Sequence, residues 1–379
     1  MTAPSDERLA RAALSRLGEP GDLRLCHLAA ELGPQRLLAA LAEDRPRDDG
    51  LRDDVAERLR HLDPAAELAR AARQGIRFVV PGDEEWPDGL DDLAGAGALH
   101  ERGGVPVGLW VRGPLRLDEI APGLAVVGSR ASTTYGDRVA ADVAAEASLA
   151  GVTVVSGAAF GIDAAAHQGA LGARRPTVAV LACGVDKVYP AAHRALLDDV
   201  VRTGAVVSEA APGCAPQRVR FLARNRVIAA LARGTVVVEA AARSGALNTA
   251  TWASALGRVV AGVPGPVTSG SSAGVHERIR NGSMTLVTSG ADVLELVGSA
   301  GEHLVEPPRA PTTRRDRLTA RQRQLLDAVP VSTGVPADSV ARVAGVGVLE
   351  AASLLRRLET IGLVERDEDG WRLGRAEPA

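Results

Sequence analysis

Six short apolar runs punctuate the chain between Leu124 and Gly265, and nearly every one ends in glycine, serine or a lone charge. They read LAVVGSR from Leu124, VTVVSGAAFGID from Val152, TVAVLACGVD from Thr177, AVVSEAA from Ala205, TVVVEAA from Thr235 and RVVAGVPG from Arg258. Hydrophobic and polar positions do not alternate within these runs, so both faces must be covered, and the spacers are long enough for crossover helices. This predicts a parallel α/β sheet, in which ligands sit beyond the carboxyl ends of the strands. Gly128, Ser129, Arg130, Ser156, Gly157, Gly184, Ser208, Glu239 and Gly265 are therefore expected along one edge.

The flanks have a different period. Residues 5–44 carry apolar and charged positions at helical spacing, with turns at Gly18–Asp22 and around Gly33–Pro34, which predicts a small helical domain. An acidic stretch, Asp44–Asp54, leads to a helix near Val55–Gln74. Trp86 and Trp110, in the segments FVVPGDEEWPDGL and LWVRGPL, read as core anchors. Downstream, Ser299–Arg317 is aperiodic and rich in Pro, Thr, Glu and Arg, as linkers are. Helical patterns follow at Arg321–Ala328, Ala337–Ala344 and Leu349–Ile361, and then LVERDEDGWRL, two strand-like pieces about a turn at Asp369–Gly370. That order is a winged-helix pattern. The expected division is thus a helical domain at 1–74, a Rossmann-like parallel sheet at 75–298, a linker at 299–317 and a winged helix at 318–379.

Charge changes this picture in one place. The net charge of the 379-residue chain is −3, but it is unevenly spread. Residues 1–120 hold 16 Lys and Arg against 23 Asp and Glu; residues 121–298 hold 16 against 12; residues 299–379 hold 12 against 12. Only the middle region is basic, which is where an anionic partner belongs. In the winged helix Glu350 and Glu359 offset Arg356 and Arg357, and the hairpin carries Glu365, Asp367, Glu368 and Asp369, so strong duplex binding is not expected there. The three cysteines, Cys26, Cys183 and Cys214, have neither disulfide-framework nor zinc spacing. The charged start MTAPSDERLARAAL and the lack of a long apolar run point to a cytoplasmic protein without a membrane span.

Candidate chemistry concentrates on the basic region. RVRFLARNR, Arg218–Arg226, offers the ring of Phe221, the guanidinium forks of Arg224 and Arg226 and the amide of Asn225. Such forks grip phosphates and an aromatic face stacks on any base, although Phe221 could equally be a core residue and the arginines a solvated face. Gly128-Ser129-Arg130, followed by a helix near Thr134 or Gly136, would present backbone amides to a phosphate, and Ser156, Gly157, Phe160 and Gly161 would form a second turn of that kind. The spacing is not GxGxxG, so NAD is disfavoured and no cofactor is expected. Asp163 and His167 read as a capping acid and a core histidine rather than a catalytic or metal pair. Glu239 could anchor a loop or serve as an acid; Asn248 and Thr249 could donate to a phosphate or cap a helix.

GSR at 128–130, SGAAFGIDAAAH at 156–167, VYP at 188–190, SE at 208–209, FLARNRVIAAL at 221–231, VVVEAAARSGALNTA at 236–250 and VPGPVTS at 263–269 together resemble the DNA-processing protein A (DprA/Smf) family in order and spacing. The resemblance implies a non-enzymatic, homodimeric recombination mediator that binds and protects single-stranded DNA, helps load the RecA recombinase and serves DNA uptake and transformation. It also implies a sterile-alpha-motif-like N-terminal domain and a DNA site drawn from Gly128, Ser129, Arg130, Ser156, Gly157, Phe160, Gly161, Lys187, Phe221, Arg224, Asn225, Arg226, Ser244 and Gly245. Leu222 departs from the family's usual proline, and His193 from its frequent asparagine. The alternatives are a nucleotide or nucleoside-phosphate hydrolase using Glu239 and Arg224, and a regulator acting through the winged helix.

Overall fold

The computed structural model describes residues 4–42, 61–120, 123–305 and 313–374. They fall into two compact units, one reaching Val305 and one beginning at Glu306.

The first unit is built on one nine-stranded sheet. Its parallel part contains β5 (Gly123–Val127), β6 (Thr153–Ser156), β7 (Thr177–Val180), β8 (Ala205–Ser208), β9 (Gly234–Val237), β10 (Val259–Gly262) and a short β11 (Thr285–Leu286). The six apolar runs are thus six neighbouring strands, and β11 is a seventh that two residues of sequence do not advertise. Ahead of them come β1 (Ile76–Val79), a small hairpin of β2 (Ala98–Leu99) and β3 (Arg102–Gly103), and β4 (Leu109–Arg112). β4 pairs antiparallel with β8, and β1 with β4, which extends the sheet at one edge.

The sheet order is β1-β4-β8-β7-β6-β5-β9-β10-β11. The parallel part starts at β5, steps outward through β6 and β7 to β8, then crosses back to β9. Between β5 and β9 the direction of winding reverses, and crevices form at such reversals. The strands β5 to β9 are buried on both faces. Ala125 and Val127 of β5 join a core with Ile228 and Trp252, while Leu124 and Val126 join another with Val143 and Ile162. This two-sided burial is why the strands read as unbroken apolar runs.

The N-terminal helices Asp6–Leu17, Leu23–Leu32 and Pro34–Ala42 pack within this same unit. Trp110 is fully buried beside Ala12 and donates its indole N–H to Ser15 Oγ at 3.3 Å. Trp86 is buried as well and donates to Asp91 at 2.9 Å, so both tryptophans are core anchors. The expected helix near 55–74 is described only over Pro64–Arg73; the acidic stretch at 44–54 lies outside the described residues.

The second unit has helices Ala320–Leu326, Ala337–Ala344 and Val348–Thr360, then a hairpin of β12 (Val364–Arg366) and β13 (Trp371–Leu373). Leu325, Val340, Leu355, Leu358 and Trp371 form its core. Glu350, Arg356, Arg357 and Glu359 are exposed on the third helix, charges of both signs. Within the hairpin, Arg372 pairs with Glu365 at 2.8 Å and with Asp367 at 3.3 Å.

Candidate nucleic-acid interface

A cleft of about 1170 Å³ opens at the carboxyl ends of β5 and β9, where the winding reverses. Val127, Gly128, Ser129 and Arg130 form one wall and Ala241–Thr249 the other, with Phe221, Arg224 and Asn225 of the Arg218–Ala230 helix between them. The β2–β3 hairpin contributes Leu99 and His100. Arg130, Arg218 and Arg243 stand exposed at the mouth without a carboxylate partner among the described residues, and Arg278 reaches in with Nη2 on Thr251 Oγ1 at 3.2 Å. Unneutralised guanidinium groups around a concave edge raise its positive potential and suit an anionic ligand.

Aromatic rings gather beside them. Phe221 is half-buried; the Arg130 guanidinium lies 4.8 Å from its ring centroid and Tyr189 5.7 Å. Phe160 is exposed and meets His193 edge-on at 4.8 Å, and His193 Nδ1 is 3.0 Å from the Ala158 carbonyl. The chain has only nine Phe, Trp and Tyr residues (three, four and two), so three exposed or half-exposed rings around one recess are a concentrated signal. A ring standing free in a positively charged cleft is a stacking platform for a base.

Backbone amides, by contrast, are already engaged. At the start of the Thr134–Leu149 helix the buried Glu239 carboxylate accepts Thr133 N–H at 2.8 Å and Thr133 Oγ1 at 2.6 Å, while Ser129 N–H donates to the Glu239 carbonyl at 2.7 Å. The second turn is filled likewise: Asp163, buried at the start of the Ile162–Gly172 helix, takes amide hydrogen bonds from Gly157, Ala159 and Gly128. Part of the expected amide cradles at 128–130 and 156–161 is therefore engaged within the protein: the Ser129 amide by the Glu239 carbonyl, and the Gly128, Gly157 and Ala159 amides by the Asp163 carboxylate. Glu239, held by the Thr133 amide and hydroxyl, anchors the loop that leads into the Thr134–Leu149 helix.

Arg224 is buried against this second turn. Its Nη1 donates to the Val180 carbonyl at 2.9 Å, and its guanidinium packs so closely on Gly157 that a Cβ there would stand 1.3 Å from Nη1. Burial pulls the Asp163 carboxyl above its ordinary range and Arg224 below its own, while each charge steadies the other. His167 is fully buried; its Nδ1 meets Thr177 Oγ1 at 2.8 Å, and desolvation, aided by Arg224, pushes it down to about 3. Among the described residues no group of His, Cys, Asp and Glu could hold a metal ion, and no helix is long and apolar enough to cross a membrane.

The profile of the DNA recombination-mediator protein A family matches residues 77–298, most of the sheet unit. The chain belongs to this family. A DNA processing protein DprA named from Mycobacterium tuberculosis (strain ATCC 25618 / H37Rv) is 46% identical over 374 residues, spanning 96% of this chain and 94% of that one. The DNA processing protein DprA of Streptococcus pneumoniae is 42% identical over 200 residues, 52% of this chain and 68% of its own length. The X-ray structure of DprA from that species superposes with a TM-score of 0.62 at 32% identity, covering 77% of this chain and 98% of the other. The Helicobacter pylori DNA processing protein A, solved for its single-stranded DNA binding mode, shares the fold with a TM-score of 0.50 at 23% identity, over 57% of this chain and 94% of that one.

The family's motif residues separate into two groups in this DNA recombination-mediator protein A chain. Arg130, Phe221, Arg224, Asn225, Ser244 and Gly245 line the cleft, with Gly128 and Ser129 as backbone; Gly157 and Phe160 line the adjoining recess. Ser156 is buried with Oγ on the Val126 carbonyl at 2.6 Å, Gly161 shapes a turn at φ +75°, and Lys187 sits outside the cleft, 3.9 Å from Asp186. Arg226 is the clearest correction. It is fully buried and bound to Glu209 at 2.7 Å, because the helix turns it away from the cleft into the protein. Sequence reasoning missed Tyr189, Arg218, Arg243 and Arg278. The scarcity of aromatics and of nearby acids was the signal available for them. Leu222 lines the cleft in place of the usual proline and leaves Phe221 at its mouth.

Proposed function

We propose that this chain is a single-stranded-DNA-binding recombination mediator, acting as a cytoplasmic homodimer that protects exposed strands and helps load the RecA recombinase. The observation that carries the reading is the cleft at the β5–β9 reversal, where unpaired arginines and exposed rings share one concave edge. Arg130, Arg218, Arg224, Arg243 and Arg278 would hold phosphates through side chains, and Phe221, Tyr189 and Phe160 would meet bases. The Helicobacter relative named for binding single strands supports the choice of ligand, and family membership supports the role in recombination.

Titration with a fluorescent oligonucleotide tests this. With about three to five phosphates held, log affinity for a single strand falls against log salt with a slope of about −2 to −3.5. A duplex of equal length binds more weakly, since paired bases offer no face to Phe221. Affinity indifferent to salt, or a preference for duplex, overturns the reading. Release of free base or ribose phosphate from nucleoside monophosphates would restore the hydrolase alternative.

A further inference from the structure

The Arg218–Ala230 helix has two working faces. Phe221, Asn225 and Ile228, three and four residues apart, line the cleft. Arg220, Ala223 and Arg226, each three residues apart, face the N-terminal turn Gly18–Asp22. Glu19 receives Arg220 in a fork, Nε at 2.8 Å and Nη2 at 2.7 Å. Gly21 donates its N–H to Glu209 Oε1 at 3.2 Å, the same oxygen that holds Arg226 at 2.7 Å, and its carbonyl accepts Gly103 N–H at 3.0 Å. Gly21 has φ +67°, and a Cβ there would stand 3.1 Å from Arg226 Nε and 3.3 Å from Ala223 Cβ. Only glycine lets the turn lie this close in this conformation.

The start of this helix needs outside support. Its N-cap, Gln217, makes no side-chain cap hydrogen bond, so its first turn lacks the usual partner for its free amides. Arg220, in that turn, ties it instead to Glu19 and to the Ala215 carbonyl at 2.7 Å. Phe221 is the next residue. Pro20 of the same N-terminal turn, with Arg220 and Arg224, borders a cavity of about 10 Å³ behind the helix. Arg220 is one-tenth exposed and engaged with Glu19, so it is placed to support the helix rather than to take a phosphate.

We propose that the Gly18–Asp22 turn is a positioning element for the single-strand site, with Glu19 acting through Arg220 to fix the first turn that presents Phe221. The inference rests on the cleft being that site. A bidentate fork resists both rotation and sliding, so one carboxylate sets the pose of the ring and, a turn further on, of Arg224 and Asn225. Through this contact the N-terminal helices, which do not line the cleft, adjust its affinity.

The test uses the full chain, a fluorescein-labelled oligothymidylate and the variants Glu19→Gln, Arg220→Gln, their double and Gly21→Ala. Glu19→Gln should weaken binding about three- to tenfold. Its salt slope should stay that of the parent, because Glu19 touches no phosphate. The double should be no weaker than the weaker single, and Gly21→Ala should reproduce the loss. The thermal midpoint of Glu19→Gln should move by no more than about 2 °C, since a pair with one exposed partner adds little stability. The inference is overturned by Glu19→Gln binding as the parent does or tighter, by additive singles, or by an affinity loss that merely tracks a falling midpoint. If the parent itself fails to bind the strand, the site reading falls first. If it binds and the variants match it, only this inference falls.

Discussion

Replacing Phe221 by alanine separates stacking from charge and from packing. The ring is half-buried, with Arg130 4.8 Å from one face and Tyr189 5.7 Å away. A fully buried phenylalanine cut to alanine costs about 3–5 kcal/mol, so a ring with much of its surface in solvent should cost about 1–2 kcal/mol of stability. In a unit of this size that lowers the midpoint by no more than about 6 °C. Binding should suffer more: one lost base stack removes about 1–3 kcal/mol, or about 5- to 150-fold in affinity. Stacking releases no counterions, so the salt slope should hold, whereas Arg130→Ala should flatten it by about 0.7. Because the guanidinium rests on the ring, the double variant should show a coupling of about 0.5–1 kcal/mol. Fluorescence titration at several salt concentrations, paired with thermal melts, measures all of this. Unchanged affinity, or a midpoint that collapses by more than about 10 °C, would show that Phe221 is packing and not platform.

Gly157→Ala should drive a methyl group into the Arg224 guanidinium, costing about 1–3 kcal/mol of stability and matching Arg224→Ala in strand affinity; titration and melting of both variants check this. A fragment ending at Val305 should keep most single-strand affinity and residues 313–374 alone should show little, given the evenly charged third helix and the paired hairpin; strong binding by the small piece would reverse the ranking. His167 titrates at about 3 when folded and near 6.5 when free, so the unfolded chain binds the extra proton between those values. Its contribution is therefore intact above about pH 6.5 and lost as pH falls; from about pH 7 to about pH 5.5 it should cost about 1 kcal/mol, seen in denaturant melts and absent in His167→Gln.

The sheet was legible because two-sided burial forces unbroken apolar runs, and strand ends show as glycine and serine. The C-terminal hairpin was legible through Asp369–Gly370, with Gly370 at φ +134° in the turn. Short β11 was not, since Thr285–Leu286 is exposed and carries no pattern. Within the site, residue type could be read but not orientation. Arg224 and Arg226 look equivalent in RNR, yet they point to different places, and Glu209, the partner that claims Arg226, is remote in sequence. The amide turns at 128–130 and 156–161 look like anion cradles, but the Glu239 carbonyl takes the Ser129 amide and Asp163 takes those of Gly128 and Gly157.

On the proposed reading, the engaged amides bear on which ligands the cleft would hold. An open ring of backbone amides at a helix start captures a single phosphate tightly, and a cell's free nucleotides would saturate it. With the Ser129, Gly128 and Gly157 amides engaged within the protein, a lone mononucleotide would meet mainly separate guanidinium groups and rings, each a weak hold. A polymer engages several of them at once, and its later contacts form at the high effective concentration set by its own backbone. On that reading, partly engaged amide turns would favour a strand that meets several guanidinium groups and rings at once over a lone mononucleotide.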